Sequence, residues 1–128
     1  MKREIFVVIL LTLAVYAVDK TQVNELLIDR ELNLGQVDIT SKKVFEISLV
    51  NKTRKSFEIA KIYTSCGCTR VVGKTAFTLK PKNTEYVSFE FDPISMHEKN
   101  DSIDHEIYIL TAHPTEKEYK IKITGKII

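Results

Sequence analysis

Apolar residues recur in this chain at every second position, in short runs separated by turn residues, and that period decides what the chain can fold into. Val87, Phe89 and Phe91 alternate with Ser88 and Glu90, and Phe45, Ile47 and Leu49 alternate with Glu46 and Ser48. Ile103, His105, Ile107 and Ile109 share one parity, with Tyr108 and Leu110 on the other; Tyr119, Ile121, Ile123 and Gly125 alternate with lysines and Thr124. Successive side chains of a strand point to opposite faces, so each run has one apolar and one polar face. No segment after residue 20 sustains the 3.6-residue period of a helix. Asn51-Lys52-Thr53-Arg54, Gly73, Pro81, Asp92-Pro93 and His113-Pro114-Thr115 punctuate the runs. Strands at this spacing with turn signals between them predict an all-β chain, folded as an antiparallel β-sandwich of about seven to nine strands.

Other segments are less regular. Leu26-Leu27-Ile28 reads as a first edge strand, Leu32 and Leu34 alternate until Gly35 ends the segment, and Val37-Asp38-Ile39-Thr40 resumes it. Phe57, Ile59 and Lys61 fall on one side, which leaves Ile62 out of step. Phe77-Thr78-Leu79 stops at Pro81, and Ile94 to Ser102 reads as a long polar loop.

The N-terminus is of another kind. Lys2 and Arg3 precede a run from Ile5 to Val18 that is apolar except for Thr12. A spanning helix needs roughly 20 such residues, so the run is read as the core of a secretory signal peptide. Val15-Tyr16-Ala17 places small residues where a signal peptidase inspects the chain, which predicts a leader over 1–17, a lead-in over 18–30 and the sandwich over 31–128. The expected location is periplasmic or secreted, with membrane contact only through the leader if it is retained. The chain of 128 residues carries a formal net charge of +2 with its charges interspersed. Nucleic-acid binding would need clustered Lys and Arg, so it is not expected.

Several stretches together resemble a known family. They are Leu32-Asn33-Leu34-Gly35-Gln36-Val37, Phe45 to Asn51, Ile59 to Ile62, Ser65-Cys66-Gly67-Cys68-Thr69, Leu79-Lys80-Pro81, Val87 to Pro93 and Ile123 to Ile127. This ordered set resembles an exported bacterial family of unknown function whose signature is the Ser-Cys-Gly-Cys-Thr box, similar to the Hydin and major sperm protein branch of immunoglobulin-like sandwiches. The resemblance implies that fold and an exported location, and it implies no enzymatic role. The chain departs from the family pattern at Pro81-Lys82, where Pro-Gly is usual, at Asn51-Lys52-Thr53, where Asn-Thr-Gly is usual, and in the loop Ser95 to Ser102, where glycine is usual.

The chemistry concentrates in Cys66-Gly67-Cys68, which holds both cysteines. Residues two apart in a strand have Cα atoms roughly 6.5 Å apart, near the upper limit for a disulfide. Closure needs a bend, which Gly67 would permit by tolerating positive φ. Three readings fit the box: a structural corner, a thiol–disulfide relay in which Arg70 or Lys61 lowers a thiol pKa, and Cu(I) capture by two thiolates. Tetrahedral zinc would need two more ligands, for which Met96, His97 or His105 are the candidates. No other cofactor is expected. His97, His105 and His113 have no metal-ligand spacing, and His105 has inward parity. Gly73-Lys74 lacks a phosphate loop's frame and reads as a turn. Asn51-Lys52-Thr53 and Asn100-Asp101-Ser102 match the glycosylation sequon. With no catalytic constellation legible, the expected role is a non-enzymatic binding or assembly module, its partner a protein added at a sheet edge formed by Leu26 to Leu34 or by Glu118 to Ile127.

Overall fold

The computed structural model describes residues 24–96 and 101–128. The leader, its cleavage point, the first part of the lead-in, His97 and Asn100 lie outside the described residues. Eight strands follow one another: β1 (Glu31–Val37), β2 (Lys43–Val50), β3 (Phe57–Thr64), β4 (Thr69–Val72), β5 (Phe77–Leu79), β6 (Thr84–Phe91), β7 (Ser102–His113) and β8 (Lys117–Ile127). A 3-10 turn over Pro93–Ser95 follows β6. The strands form a five-stranded sheet, ordered β1-β8-β7-β3-β5, and a three-stranded sheet, ordered β2-β6-β4. All pairings are antiparallel except β1 with β8, which run parallel.

The alternating runs fill the space between the sheets. Leu49, Phe89, Phe91, Ile107, Ile109 and Ile123 are fully buried, and Phe45 stacks on Phe89 with ring centroids 5.4 Å apart. Where alternation failed in the sequence, the ladder carries a bulge. Ile59 opposes Thr111 and Lys61 opposes Leu110, so Ala60 is an extra residue that inverts the parity of β3. Lys61 therefore faces solvent and Ile62 the core, correcting the side assigned to Lys61. Gly35 does not end β1. It takes φ 72° inside a second bulge, where Asn33 opposes Thr124 and Gln36 opposes Lys126, and the shifted parity buries both Leu34 and Val37. The strand ends at Val37 instead of running on to Thr40, because Asp38 Oδ1 accepts the Thr40 N–H and hydroxyl (2.8 and 2.7 Å) and Ser41 N–H closes on Asp38 O.

The lead-in changes sheets. Leu27 bonds Val50 through both backbone groups (2.9 and 3.0 Å) and forms no longer strand there. Continuing that antiparallel register would set Arg30 opposite Ile47, on the core side, and Glu31 opposite Glu46. Burying an unpaired guanidinium and apposing two carboxylates are both unfavourable. The chain instead crosses to the other sheet, where Arg30 O accepts Lys122 N–H at 2.8 Å and Glu31 pairs with Lys122.

Two turns retain their geometry with unexpected residues. Lys82 takes φ 64° after Pro81, and Asn83 N–H closes on Lys80 O at 3.2 Å. Proline followed by a positive φ is the signature of a type II turn, so lysine occupies the place that glycine fills most easily. Its Nζ reaches Lys52 O at 2.6 Å. Asn51 is fully buried: Nδ2 donates to Lys55 O (2.8 Å) and Leu79 O (3.1 Å), and Oδ1 accepts from Thr53 N–H and hydroxyl (3.0 and 2.7 Å). This amide ties the β2–β3 turn to β5 and is closed to glycosylation in the folded chain. Lys82→Gly is expected to raise stability in urea unfolding by about 1 kcal/mol, by relieving the left-handed lysine. Asn51→Ala is expected to lower it by about 2–4 kcal/mol, since two buried carbonyls lose their donor.

Candidate functional site

The cysteine box is the corner at which the chain leaves the five-stranded sheet at the end of β3 and enters the three-stranded sheet at the start of β4. Hydrogen bonds fix it on both sides. Ser65 N–H donates to Glu106 O and Ser65 Oγ accepts Glu106 N–H, each at 2.9 Å, which docks the corner on β7. Thr64 Oγ1 lies 2.7 Å from Cys66 O and 2.8 Å from Thr69 O, and Thr69 N–H reaches Cys66 O at 3.2 Å. Cys68 O accepts Asp92 N–H at 2.7 Å from the end of β6.

Within this turn Cys66 and Cys68 form a disulfide with Cα atoms 5.1 Å apart. The backbone turn supplies the bend that an extended strand lacks. Gly67 does so without positive φ, and a Cβ built on it would meet nothing within 4 Å. The expectation that its left-handed freedom closes the ring is corrected: the hydrogen-bonded turn around it does that. In the disulfide neither sulfur carries the charge that copper or zinc ligation requires. Arg70, expected beside the thiols, pairs with Glu90 at 3.2 Å on the outer face of β4 and β6. Lys61 lies over the Tyr63 ring, 4.9 Å from its centroid. Met96 packs against the core and caps the 3-10 turn through its N–H to Pro93 O. Among the described residues no three His, Cys, Asp or Glu side chains gather to hold a metal.

His105 has the inward orientation its parity predicted. It is buried on β7, its Nε2 lies 2.8 Å from Thr69 Oγ1, and its ring stacks on Phe91 at 5.7 Å. Thr69 and Phe91 belong to one sheet and His105 to the other, so the imidazole joins the sheets at the residue that follows Cys68. The sequence held both residues but no sign of their contact, which spans 36 positions. His113 is exposed at the end of β7. On the outer face of the five-stranded sheet, Tyr63 and Tyr108 stack at 4.9 Å and donate to Glu118 and Glu106. The Glu106 contact pushes the Tyr108 pKa up to about 12.

The family model for a protein of unknown function, DUF1573, matches residues 27–127. The chain belongs to the DUF1573 family. No curated protein matches it. Among solved structures, a protein of unknown function from Porphyromonas gingivalis W83 is similar to this DUF1573 chain with a TM-score of 0.68 at 21% identity, over 79% of this chain and 46% of that one. This chain thus spans less than half of that protein. PapD-like domain 7 of human CEP192 is similar with a TM-score of 0.58 at 10% identity, over 84% of this chain and 89% of that one. SSP-19, an MSP-domain protein like family member of Caenorhabditis elegans, gives 0.54 at 11%, over 72% and 92%. At such identities the likeness shows the fold, which is the immunoglobulin-like sandwich that the resemblance implied.

The His105 contact gives the DUF1573 corner a pH signature. Burial lowers the His105 pKa, against a smaller upward pull from Asp104. The unfolded chain takes up this proton near pH 6.5, the folded chain only at lower pH. The contribution to stability is therefore full above about pH 6.5 and is lost as pH falls toward the folded value. Thermal melts between about pH 7.5 and 5 are expected to show Tm falling more steeply for the wild type than for His105→Gln.

Proposed function

We propose that this chain is an exported, non-enzymatic binding or assembly module that takes up an extended segment of a partner protein along the outer edge of β2. The observation that carries this reading is the open edge. Among the described residues β2 pairs with β6 on one side and, on the other, only with Leu27 at Val50. Backbone groups of an antiparallel strand alternate in direction, so those of Val44, Glu46 and Ser48 face the same open side as Val50. Unpaired ladder groups of this kind template a further strand. Beyond Val50 the lead-in and β2 enclose a groove of about 500 Å³ lined by residues 24–30, Ser48 and Val50.

The other expected edges fit less well. Lys122, Ile123, Thr124 and Lys126 of β8 are paired on both sides, between β1 and β7, which removes that part of Glu118 to Ile127 as an edge. The β1 edge is kinked by its bulge at Gly35. On β2, Val44 is 62% exposed, and the Glu46 carboxylate receives only the Ser88 hydroxyl at 3.5 Å among the described residues. A partner strand with Lys or Arg opposite Glu46 and β-branched residues beside it matches this edge. A second copy paired symmetrically about Glu46 would set two carboxylates opposite each other. Export rests on Lys2, Arg3 and the apolar run to Val18, with the leader over 1–17, and places the module in the periplasm or outside the cell.

The test uses two blocked seven-residue peptides of alternating valine and threonine, one with a central lysine and one with a central glutamate, titrated into the protein and followed by amide resonances. The lysine peptide is expected to shift residues 44–48 and to bind roughly two- to fivefold more tightly, with the preference reversed by Glu46→Lys. Shifts confined to 31–37, no shift with either peptide, or indifference to Glu46→Lys would each overturn the assignment to β2.

A further inference from the structure

The two sulfurs of the corner are not equivalent. Cys68 is buried, 2% exposed, with Thr69 beside it also buried. Cys66 is half-buried between the exposed Ser65 and Gly67. The Cys68 N–H points at Cys66 Sγ from 3.2 Å. A backbone donor aimed at one sulfur favours the thiolate of that sulfur, and burial among apolar groups disfavours the thiolate of the other. The turn does not depend on the S–S bond for its shape. Thr64, Ser65, Thr69 and Asp92 hold it by hydrogen bonds to Cys66 O, Glu106, Thr69 O and Cys68 O. Reduction therefore leaves two thiols still within reach of each other. So small a ring also adds little to the stability of the fold, since it removes few conformations from the unfolded chain.

We propose that Cys66–Cys68 is a thiol–disulfide exchange site with a fixed division of labour: Cys66 is the sulfur that meets an external thiol or disulfide, and Cys68 is the resolving sulfur that does not. The inference goes beyond strand capture at β2 and does not depend on it, because the corner and that edge lie on different strands. In the reducing direction an external thiolate attacks Cys66 Sγ. A mixed disulfide forms as the Cys66–Cys68 bond breaks, and Cys68 leaves with the electron pair and takes up a proton. A second external thiolate attacks the external sulfur of the mixed disulfide, releasing Cys66 as thiolate and an oxidised external disulfide. Two electrons have then passed to the pair. In the reverse direction the Cys66 thiolate attacks an external disulfide and releases one external thiolate; Cys68, once deprotonated, attacks Cys66 Sγ of the mixed disulfide, releases the second external thiolate and restores the bond. The external partner is a low-molecular-weight thiol or an accessible protein thiol, since only Cys66 is open to attack.

The test uses the exported chain with Cys68→Ser, which leaves Cys66, and with Cys66→Ser, which leaves Cys68, each treated with oxidised glutathione. Cys68→Ser is expected to form a glutathione adduct at a rate on the order of tenfold or more above that of Cys66→Ser, with a pH–rate midpoint below the roughly 8.5 of a free cysteine. Equal rates, faster reaction at Cys68, or a midpoint at or above 8.5 would overturn the assignment. Should either variant fail to fold, the wild type is reduced and briefly alkylated, and the first residue modified is read by peptide mass spectrometry. Cys66 first supports the proposal, and Cys68 first, or neither before denaturation, overturns it. The lysine-peptide titration on the same samples reports the β2 edge separately.

Discussion

The sandwich is tied at one end by a contact among Phe91, His105 and Thr69. Phe91 and Thr69 are partners in the β4–β6 ladder, and His105 reaches them from β7 in the opposite sheet, stacking on one and lying within hydrogen-bonding distance of the other. A buried imidazole must satisfy its polar atoms or lose their hydration without return. The Thr69 hydroxyl supplies a partner at the first residue of β4. The chain between β3 and β4 then has only Ser65 to Cys68 in which to cross from one sheet to the other. The cysteine box makes up that short crossing. Its hydrogen bonds to Glu106 and Asp92 hold it to both sheets.

Irregularities elsewhere follow from the same need to keep apolar side chains inward. Ala60 in β3 and the Leu34-Gly35 stretch of β1 each add a residue to one strand, which lets Ile62 join Ile59, and Val37 join Leu34, in the core where strict alternation would turn the second of each pair outward. Each bulge interrupts one ladder step in exchange for burial of large side chains, and each buried side chain of that size contributes roughly 1.5–3 kcal/mol. Arg30 and Glu31 have the opposite effect: they disfavour continued pairing along β2, which among the described residues has only Leu27 on that side. The sparsely paired edge of β2 and the Cys66–Cys68 corner thus both follow from how the core is filled.

Much of the fold was legible in the chain because period-two alternation is a direct image of one-sided burial. Phe45, Ile47, Leu49, Val87, Phe89, Phe91, Ile107 and Ile109 were assigned inward from spacing, and all are buried. The errors fell where an extra residue or a side-chain hydrogen bond breaks the period: Lys61, Gly35, and the end of β1 at Asp38. The candidate site was legible in part. The box Cys66-Gly67-Cys68 stands out by its composition, and its two cysteines lie in one turn as a disulfide. Arg70 and Lys61 were named as its electrostatic neighbours because they are close in sequence, and the structure gives each another partner. Asn51 matched a glycosylation sequon and is a buried hub, since a three-residue pattern says nothing about which carbonyls will surround it.

The sequence by itself determined the all-β architecture, the inward faces and the adjacency of the two cysteines, because these depend on interactions within a strand or between near neighbours. Tertiary structure decided three things that depend on pairing between distant segments. One is which edge is left unpaired among the described residues: whether β2 or β8 gains a neighbour depends on where the lead-in and β1 pair. Another is which residue meets the one that follows Cys68, since His105 and Thr69 meet only when the two sheets close. The third is which sulfur faces outward, because burial of Cys68 over Cys66 is set by the turn that carries the chain between sheets. Spacing within one strand contains none of that information.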